Sequence, residues 1–266
     1  MSTPPLRLLV AVLVLFLLGR AAIVAWQQRA LAFEVWRRTR WRHLAGAAGL
    51  LIGVSTIAIL LIEWVPPMRW GLGNLVGFTG NAVFVPLEEA AAAAGPPPAS
   101  GPDWVLIGLT TLFLGPLVLL LPWLAFVEEE VFRAGLEATT PLQEGWWALR
   151  FGLAHLVMLV PLGATLAIGA AGLVYGRVYR HAHARWSGEP LPAPVRRAFR
   201  PTRRSARAAD LARRPVPAVA GWGEPLLDRD PERRQAYGVL ASTVWHATFN
   251  SFVVVTVWLA IVIAAW

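Results

Sequence analysis

The stretch WVLIGLTTLFLGPLVLLLPWLAF, residues 104–126, carries no charged side chain and is long enough to cross a bilayer as one helix. Four other predominantly apolar runs accompany it in the chain, at 8–26, 44–64, 146–178 and 238–265. Since about 18 consecutive apolar residues are enough for a membrane-spanning helix, these runs predict an all-α fold. We expect a polytopic membrane helix bundle.

The composition supports this prediction and restricts the partners. Of 266 residues, 56% are hydrophobic and 15% are charged, whereas a soluble domain carries about 25% charged residues. The absence of cysteine excludes disulfides, thiolate metal sites and a cysteine nucleophile. The net charge is +8, and every one of the 24 basic residues is Arg. These arginines lie in loops beside apolar runs, which favours a lipid bilayer over nucleic acid as the partner.

The run at 146–178 decides the number of membrane spans. As a single helix it would be about 50 Å long, against a hydrocarbon core of about 30 Å, and Pro161 lies near its middle. Splitting the run into 146–160 and 162–178 gives about six transmembrane helices. The split also puts the two basic segments 27–43 and 179–236 on the same side, as expected for cytoplasmic loops.

The domain prediction follows from these spans. Residues 1–103 form an N-terminal region of two spans with an external loop at 65–103, and residues 104–266 form the core. The first run could be read as a signal peptide, but Arg20 interrupts it and no clean cleavage site follows, so we expect an uncleaved span. The basic insert at 179–236 resembles a disordered or loosely folded cytoplasmic segment that contacts anionic lipid or a partner protein. The expected location is the cell (inner, cytoplasmic) membrane, as a multi-pass protein.

Ionisable side chains near or inside spans are the candidate functional residues, because charge is costly in lipid. An acidic triplet, Glu128-Glu129-Glu130, follows the third apolar run, and Arg133 lies one helical turn after Glu129, where the two can pair. The alternative interpretation is a cytoplasmic helix end at which the acids meet water.

Two further polar positions occur in apolar segments. His155 follows Phe151 by four residues, and His246 precedes Asn250 by four, so each pair shares a helix face. His155 lies nine residues after Trp146 and His246 nine after Tyr237, so both are expected about 13 Å from the cytoplasmic end of their helices. Glu128 reaches a similar depth if its helix continues to about residue 137. A structural histidine or an interhelical polar contact is the alternative for each position alone.

Familiar hydrolase motifs are absent. The sequence has no Gly-x-Ser-x-Gly nucleophile elbow, no Gly-x-Gly-Asp run and no His-Glu-x-x-His zinc motif. The order Glu-Glu-x-x-x-Arg, Phe-x-x-x-His and His-x-x-x-Asn, however, resembles the three motifs of the CAAX protease and bacteriocin-processing (CPBP) family. Those proteins are glutamic intramembrane proteases related to type II CAAX prenyl endopeptidases. The similarity covers about 104–178 and 237–252.

The resemblance implies roles for individual residues. It makes Glu128 and Glu129 the motif pair, with Glu130 as an intervening residue. It implies that Glu128 and His155 activate water, and that His246 and Asn250 stabilise the oxyanion. Arg133 and Phe151 are the supporting motif positions. No cofactor and no metal are implied, and the substrate would be a membrane-associated peptide or protein.

The sequence departs from the family pattern in two places. Ala134 separates Arg133 from Gly135, where the family has Gly directly after the Arg, and the interval between the two histidines is unusually long.

Two alternative functions remain beside the protease hypothesis. The chain could be a catalytically silent immunity or scaffold protein of the same fold. It could also be a zinc-dependent membrane hydrolase with Glu128, His155 and His246 as ligands.

The distribution of Arg predicts the topology. Reporter fusions at Val85, in the external loop, and at Ser205, in the basic insert, should report opposite sides of the membrane, with Ser205 cytoplasmic. A reporter pair consisting of an alkaline phosphatase and a fluorescent protein measures this directly. The same side for both positions would exclude the six-span arrangement.

Overall fold

The computed structural model describes residues 4–75, 81–94, 101–213 and 230–266. Within those ranges the chain is helical and contains no strand. The α-helices are α1 (Pro4–Gln27), α2 (Arg29–Arg38), α3 (Trp41–Trp64), α4 (Leu72–Leu75), α5 (Val85–Ala94), α6 (Trp104–Arg133), α7 (Pro141–Ala154), α8 (Leu162–Arg185), α9 (Ala193–Ala198), α10 (Arg203–Arg213) and α11 (Pro231–Ala264). The predicted all-α helix bundle is confirmed.

Five helical segments in the described ranges are long and apolar enough to cross a membrane. They comprise α1, α3, α6 with the turn that follows it, α8 and α11. The predicted break of the 146–178 run is observed, because α7 ends at Ala154 and α8 begins at Leu162. Helix α7 and the 3-10 helix His155–Met158 together extend about 29 Å. This combined element overlaps the predicted span 146–160, which is not among the five candidate spans of the described residues, so the sixth span stays a prediction.

The bundle has two chemically different ends. At one end, which we call the Asp103 end, the Asp103 N–H donates to the Ala265 carbonyl at 2.8 Å. At the other, arginine-rich end (residues 28–43 and 177–213), Leu31 and Val35 of α2 share a core cluster with Val195. The two basic segments therefore lie at the same end of the bundle, as their sequence predicts.

Glycines set the spacing between the antiparallel helices α7 and α8. A Cβ added to Gly152 would lie 2.2 Å from the Thr165 carbonyl oxygen and 2.8 Å from the Gly169 nitrogen. The two backbones are therefore in direct contact at this level. Small residues that allow such close approach are the usual basis of helix association in membranes, where the hydrophobic effect provides little attraction between helices.

Helix α6 continues beyond its apolar run, which ends at Phe126, but stops short of residue 137, the end that the depth comparison assumed. It ends at Arg133, and the chain turns at Gly135, which has a φ of +89°. A side chain at Gly135 would be strained by this backbone conformation and would also meet the backbone of Ser205 at 3.1 Å. The internal Pro116 and Pro122 do not interrupt α6.

The basic insert is more ordered than predicted. Over its described part, 179–213, it contains the end of α8 and the helices α9 and α10, and Leu191, Val195 and Phe199 are buried in the main core cluster. Val195 lies within α9, Leu191 precedes it and Phe199 follows it, and all three side chains pack into this cluster. The expectation of a loosely folded segment is wrong for this part. Residues 214–229 lie outside the described residues.

Arg204 of the insert caps the end of α6. Its guanidinium donates to the carbonyl oxygens of Ala134 at 2.8 Å and Val131 at 3.2 Å, and it lies 4.0 Å from the ring centroid of Trp147. Burial lowers the pKa of Arg204 to about 10, so the side chain remains charged at neutral pH. A cation at this position satisfies carbonyl groups that the helix end leaves unpaired.

The contact between α7 and α8 gives a test of the packing. Gly152→Ala should destabilise the protein by about 1–3 kcal/mol, because the added methyl group meets rigid backbone. Gly145→Ala is the matched control on the same helix, since its Cβ would meet nothing within 4 Å. Unfolding of the purified protein in detergent measures both variants. Equal stability of the two variants would contradict the close approach.

Candidate active site

The candidate polar residues come from four helices that meet near the arginine-rich end. Glu128, Glu129 and Arg133 lie on α6, and His246 and Asn250 lie on α11. Helix α7 contributes the aromatic ring of Phe151, which is buried in a cluster with Tyr175 of α8. The third polar motif position, His155, follows the end of α7.

Glu129 forms the centre of this group. Its side chain is fully buried, and its Oε1 lies 2.9 Å from His246 Nδ1. Its Oε2 lies 3.5 Å from Nε of Arg133, which is also buried, at 1% exposure. The predicted pairing of Glu129 with Arg133 is therefore observed. Because the carboxylate can only accept, His246 donates from Nδ1, and this contact fixes the orientation of the imidazole ring.

Glu128 faces the other nitrogen of the same imidazole. Its Oε2 lies 3.7 Å from His246 Nε2, and 35% of its side chain is exposed. The imidazole of His246 is thus held between a fully enclosed carboxylate and a partly accessible one. The two adjacent glutamates consequently differ in environment, although the sequence alone makes them look equivalent.

Glu130 points away from this group, as the proposed register requires. Its Oε1 accepts a hydrogen bond from the backbone N–H of Arg200, in the basic insert. Its role in the structure is to hold the chain between α9 and α10 against α6. Glu128 and Glu129 are therefore the two members of the triplet that approach His246.

Aromatic rings surround the buried charges. Tyr175 stacks on His246 with a centroid separation of 4.7 Å and an interplanar angle of 19°. Phe151 contacts the edge of His246 at 5.5 Å, and the Arg133 guanidinium lies 4.5 Å from the Phe151 centroid. The face of an aromatic ring attracts a cation, so Phe151 stabilises the charge of the Arg133 guanidinium. Tyr175 is not among the site residues predicted from the sequence; a tyrosine among glycines and alanines in α8 was the available signal.

Gly172 on α8 provides the space for this arrangement. A Cβ at Gly172 would lie 2.9 Å from Phe151 Cδ1 and 3.3 Å from a terminal nitrogen of Arg133. The glycine therefore lets α8 approach while both side chains keep their positions.

His155 is placed differently from the prediction. It was expected within a continuous helix, but it begins the 3-10 helix His155–Met158. Its Nδ1 lies 2.9 Å from the carbonyl oxygen of Phe151, and since a carbonyl only accepts, the imidazole donates. The ring thus satisfies a carbonyl released where the α-helical hydrogen bonds end. In the neutral imidazole this bond leaves Nε2 as an acceptor.

Phe151 joins the two histidines, whose rings lie on either side of it. The centroid of Phe151 is 4.9 Å from that of His155 and 5.5 Å from that of His246. Asn250 is half-buried one turn beyond His246 on α11, and its side chain makes no hydrogen bond to a described residue. The structure therefore assembles Glu128, Glu129, Arg133, Phe151 and His246 closely, and places His155 and Asn250 around them.

The zinc alternative would use three of the same side chains, Glu128, His155 and His246. Across the described ranges, no group of three His, Asp or Glu side chains is arranged to hold a metal ion. Within the alternative set, Glu128 Oε2 lies 3.7 Å from His246 Nε2, while His246 Nδ1 contacts Glu129 and His155 Nδ1 contacts the Phe151 carbonyl oxygen.

Comparison of the chain with protein-family models, with curated proteins and with solved structures finds no match.

The buried ion pair predicts a large difference between two Glu substitutions. Glu129→Ala removes the partner of both Arg133 and His246, and leaving a buried charge unpaired costs about 3–5 kcal/mol. Glu63→Ala removes the partner of Arg69 from a pair at 3.3 Å in which both side chains are more than half exposed, and it should cost about 1 kcal/mol or less. Denaturant unfolding in detergent measures the difference. A similar loss in both variants would show that the Glu129 cluster does not stabilise the fold.

Proposed function

We propose that this chain is an intramembrane glutamic endopeptidase that cleaves a peptide bond in a membrane-associated protein or peptide. The observation that carries the proposal is the contrast between the two glutamates around His246. Glu129 is enclosed and fixed by Arg133, whereas Glu128 is partly accessible. A hydrolase needs one group of each kind: a rigid support and an accessible base.

The order of the motifs is the second support. The sequence resembles the CPBP family in three separate segments, and the structure brings residues from all three segments around Phe151 and His246. Several polar atoms in this region, including Oε2 of Glu128 and the hydroxyl of Tyr175, are buried without a hydrogen-bond partner among the described residues. Buried polar groups are usually hydrogen-bonded in native structures, so these atoms are available to water or to a substrate.

The proposed reaction is hydrolysis with Glu128 as general base. Its carboxylate takes a proton from a water molecule as the oxygen attacks the carbonyl carbon of the scissile bond. The proton then passes to the leaving nitrogen as the C–N bond breaks, so the products are a carboxylic acid and an amine. His155, whose Nε2 can accept a proton while Nδ1 donates to Phe151, assists the activation of water.

His246 and Asn250 are the proposed donors to the oxyanion. When His246 carries a proton on both nitrogens, Nδ1 donates to Glu129 and Nε2 can donate to the developing negative charge. Asn250 lies one turn along the same helix and presents an amide donor. Donors held in place before the reaction begins contribute about 3–4 kcal/mol to catalysis. Glu129 and Arg133 act through His246 and are positioning residues.

The architecture of the helix bundle supports a proposal for the location of the reaction and for its class of substrate. The site would lie in the cell (inner, cytoplasmic) membrane, towards the side on which the arginine-rich end is proposed to face the cytoplasm. Substrates of the class processed by CAAX-like peptidases, peptide-maturation enzymes or proteins that remove C-terminal sorting anchors fit such a site. The described part of the basic insert packs beside it, where a partner protein could bind.

A carboxamide substitution tests the base. Glu128→Gln should abolish cleavage while the protein still inserts and folds, because the side chain keeps its size and loses its basicity. Glu130→Gln is the matched control: its amide oxygen can still accept from the Arg200 N–H, so activity should persist. The measurement compares peptides released from membranes carrying wild-type, E128Q or E130Q protein by mass spectrometry.

Identical peptide profiles for the wild-type and E128Q membranes would contradict an enzymatic role and favour the scaffold or immunity alternative. Equal loss in E128Q and E130Q would contradict the register of the acidic triplet.

A second experiment separates the glutamic mechanism from the zinc alternative. The purified protein should retain its activity in chelator, and Asn250→Ala should lower kcat by about 100-fold with little change in KM. Loss of activity in chelator that zinc restores would overturn the glutamic mechanism.

A further inference from the structure

A second polar site lies on the opposite face of α11 from the catalytic candidates. It is a cavity of about 440 Å³ between the α2–α3 junction and the first half of α11. Its lining includes four arginines, Arg37, Arg38, Arg40 and Arg42, together with His43 and Trp245. The volume of the cavity is within the usual range for a small-molecule site. Because four arginines line the cavity, the expected ligand is an anion.

The positive charge in this cavity is largely uncompensated. Glu34 pairs with Arg37 at 2.9 Å and with Arg38 at 2.6 Å. Burial raises the pKa of Glu34, but the hydrogen bonds and charges of Arg38 and Arg37 outweigh burial and hold it below its ordinary value. One carboxylate is therefore shared by two arginines. Among the described residues, Arg40 and Arg42 have no carboxylate partner.

His43 adds a fixed donor. The backbone N–H of Arg40 donates to His43 Nδ1 at 2.9 Å, so the proton of the neutral imidazole is on Nε2. The side chain is 95% buried, since its exposure is 5%, and its ring packs edge-on against Trp245 at 5.0 Å. Gly46, one turn further, leaves the space for Trp245, because a Cβ there would lie 2.2 Å from the indole.

The cavity lies where a bilayer's headgroups would be. The first membrane-spanning helix ends at Gln27 and the next begins at Trp41, so the arginines fill the short connection between two spans. Trp26 and Trp41 flank this connection and are 70% and 79% exposed. Tryptophans are typical of the membrane–water interface, and an anionic headgroup there would meet the arginines without leaving the bilayer.

From this combination we propose that the cavity binds the phosphate group of an anionic phospholipid. Arg40 and Arg42 supply the unpaired charge, His43 supplies a directed hydrogen bond, and Trp245 forms the apolar wall beside the glycerol region. This proposal requires a site that binds one lipid and a particular pair of arginines. The general attraction of basic loops to the anionic inner leaflet requires neither.

The experiment measures lipid binding to the full-length protein in detergent by native mass spectrometry. Phosphatidylglycerol should bind with a stoichiometry of one, about tenfold more tightly than phosphatidylcholine. The variant Arg40→Gln/Arg42→Gln should weaken phosphatidylglycerol binding by about 30-fold. The matched control Arg196→Gln/Arg197→Gln removes the same charge from exposed residues of α9 at the same end and should leave binding unchanged.

Three results would overturn the proposal. One is equal binding of the two lipids, and another is an equal loss in both double variants, which would indicate general charge attraction. The third is displacement of phosphatidylglycerol by inorganic phosphate at matched concentration, which would identify the cavity as a site for a free phosphate compound. The conservative Arg40→Lys/Arg42→Lys variant, which keeps the charge, should retain most of the binding and thereby exclude misfolding as the cause of a loss.

Discussion

The ion pair between Glu129 and Arg133 constrains the packing of the whole core. Both side chains are essentially removed from solvent, and they lie where apolar helices meet. A charge in such a place is tolerated only when other groups compensate it. His246 approaches the free side of the carboxylate, and Phe151 covers the guanidinium. Helices α11 and α7 therefore each contribute a side chain that contacts the pair formed on α6, and Gly172 of α8 leaves space for Arg133.

Much of the fold is readable from the sequence because it depends on local composition. Apolar length predicts the spans, and the length limit together with Pro161 predicts the break between α7 and α8. The spacing of Glu129 and Arg133 predicts their pairing, since i and i+4 positions of a helix adjoin. The assignment of Glu128 and Glu129, rather than Glu130, as the residues that approach His246 came from the family resemblance.

Other features depend on contacts between distant segments and could not be predicted in this way. Helix α6 ends at Arg133 because Gly135 turns the chain and Arg204, from the insert, caps the carbonyls. The environment of His155 follows from a change of hydrogen-bond pattern at the end of α7. The folding of the insert depends on Leu191, Val195 and Phe199, whose apolar spacing is obscured by the surrounding arginines.

The short combined length of α7 and its 3-10 helix makes hydrophobic mismatch a property of the site. The element extends about 29 Å, with no residues to spare against a hydrocarbon core of about 30 Å, while α6 and α11 are longer and can tilt. If this element crosses the bilayer, as the proposed six-span arrangement requires, a thicker bilayer would either thin beside α7 or stretch the 3-10 turn. Because that turn carries His155 and borders Phe151, acyl-chain length becomes a variable that acts on the polar cluster from outside the protein.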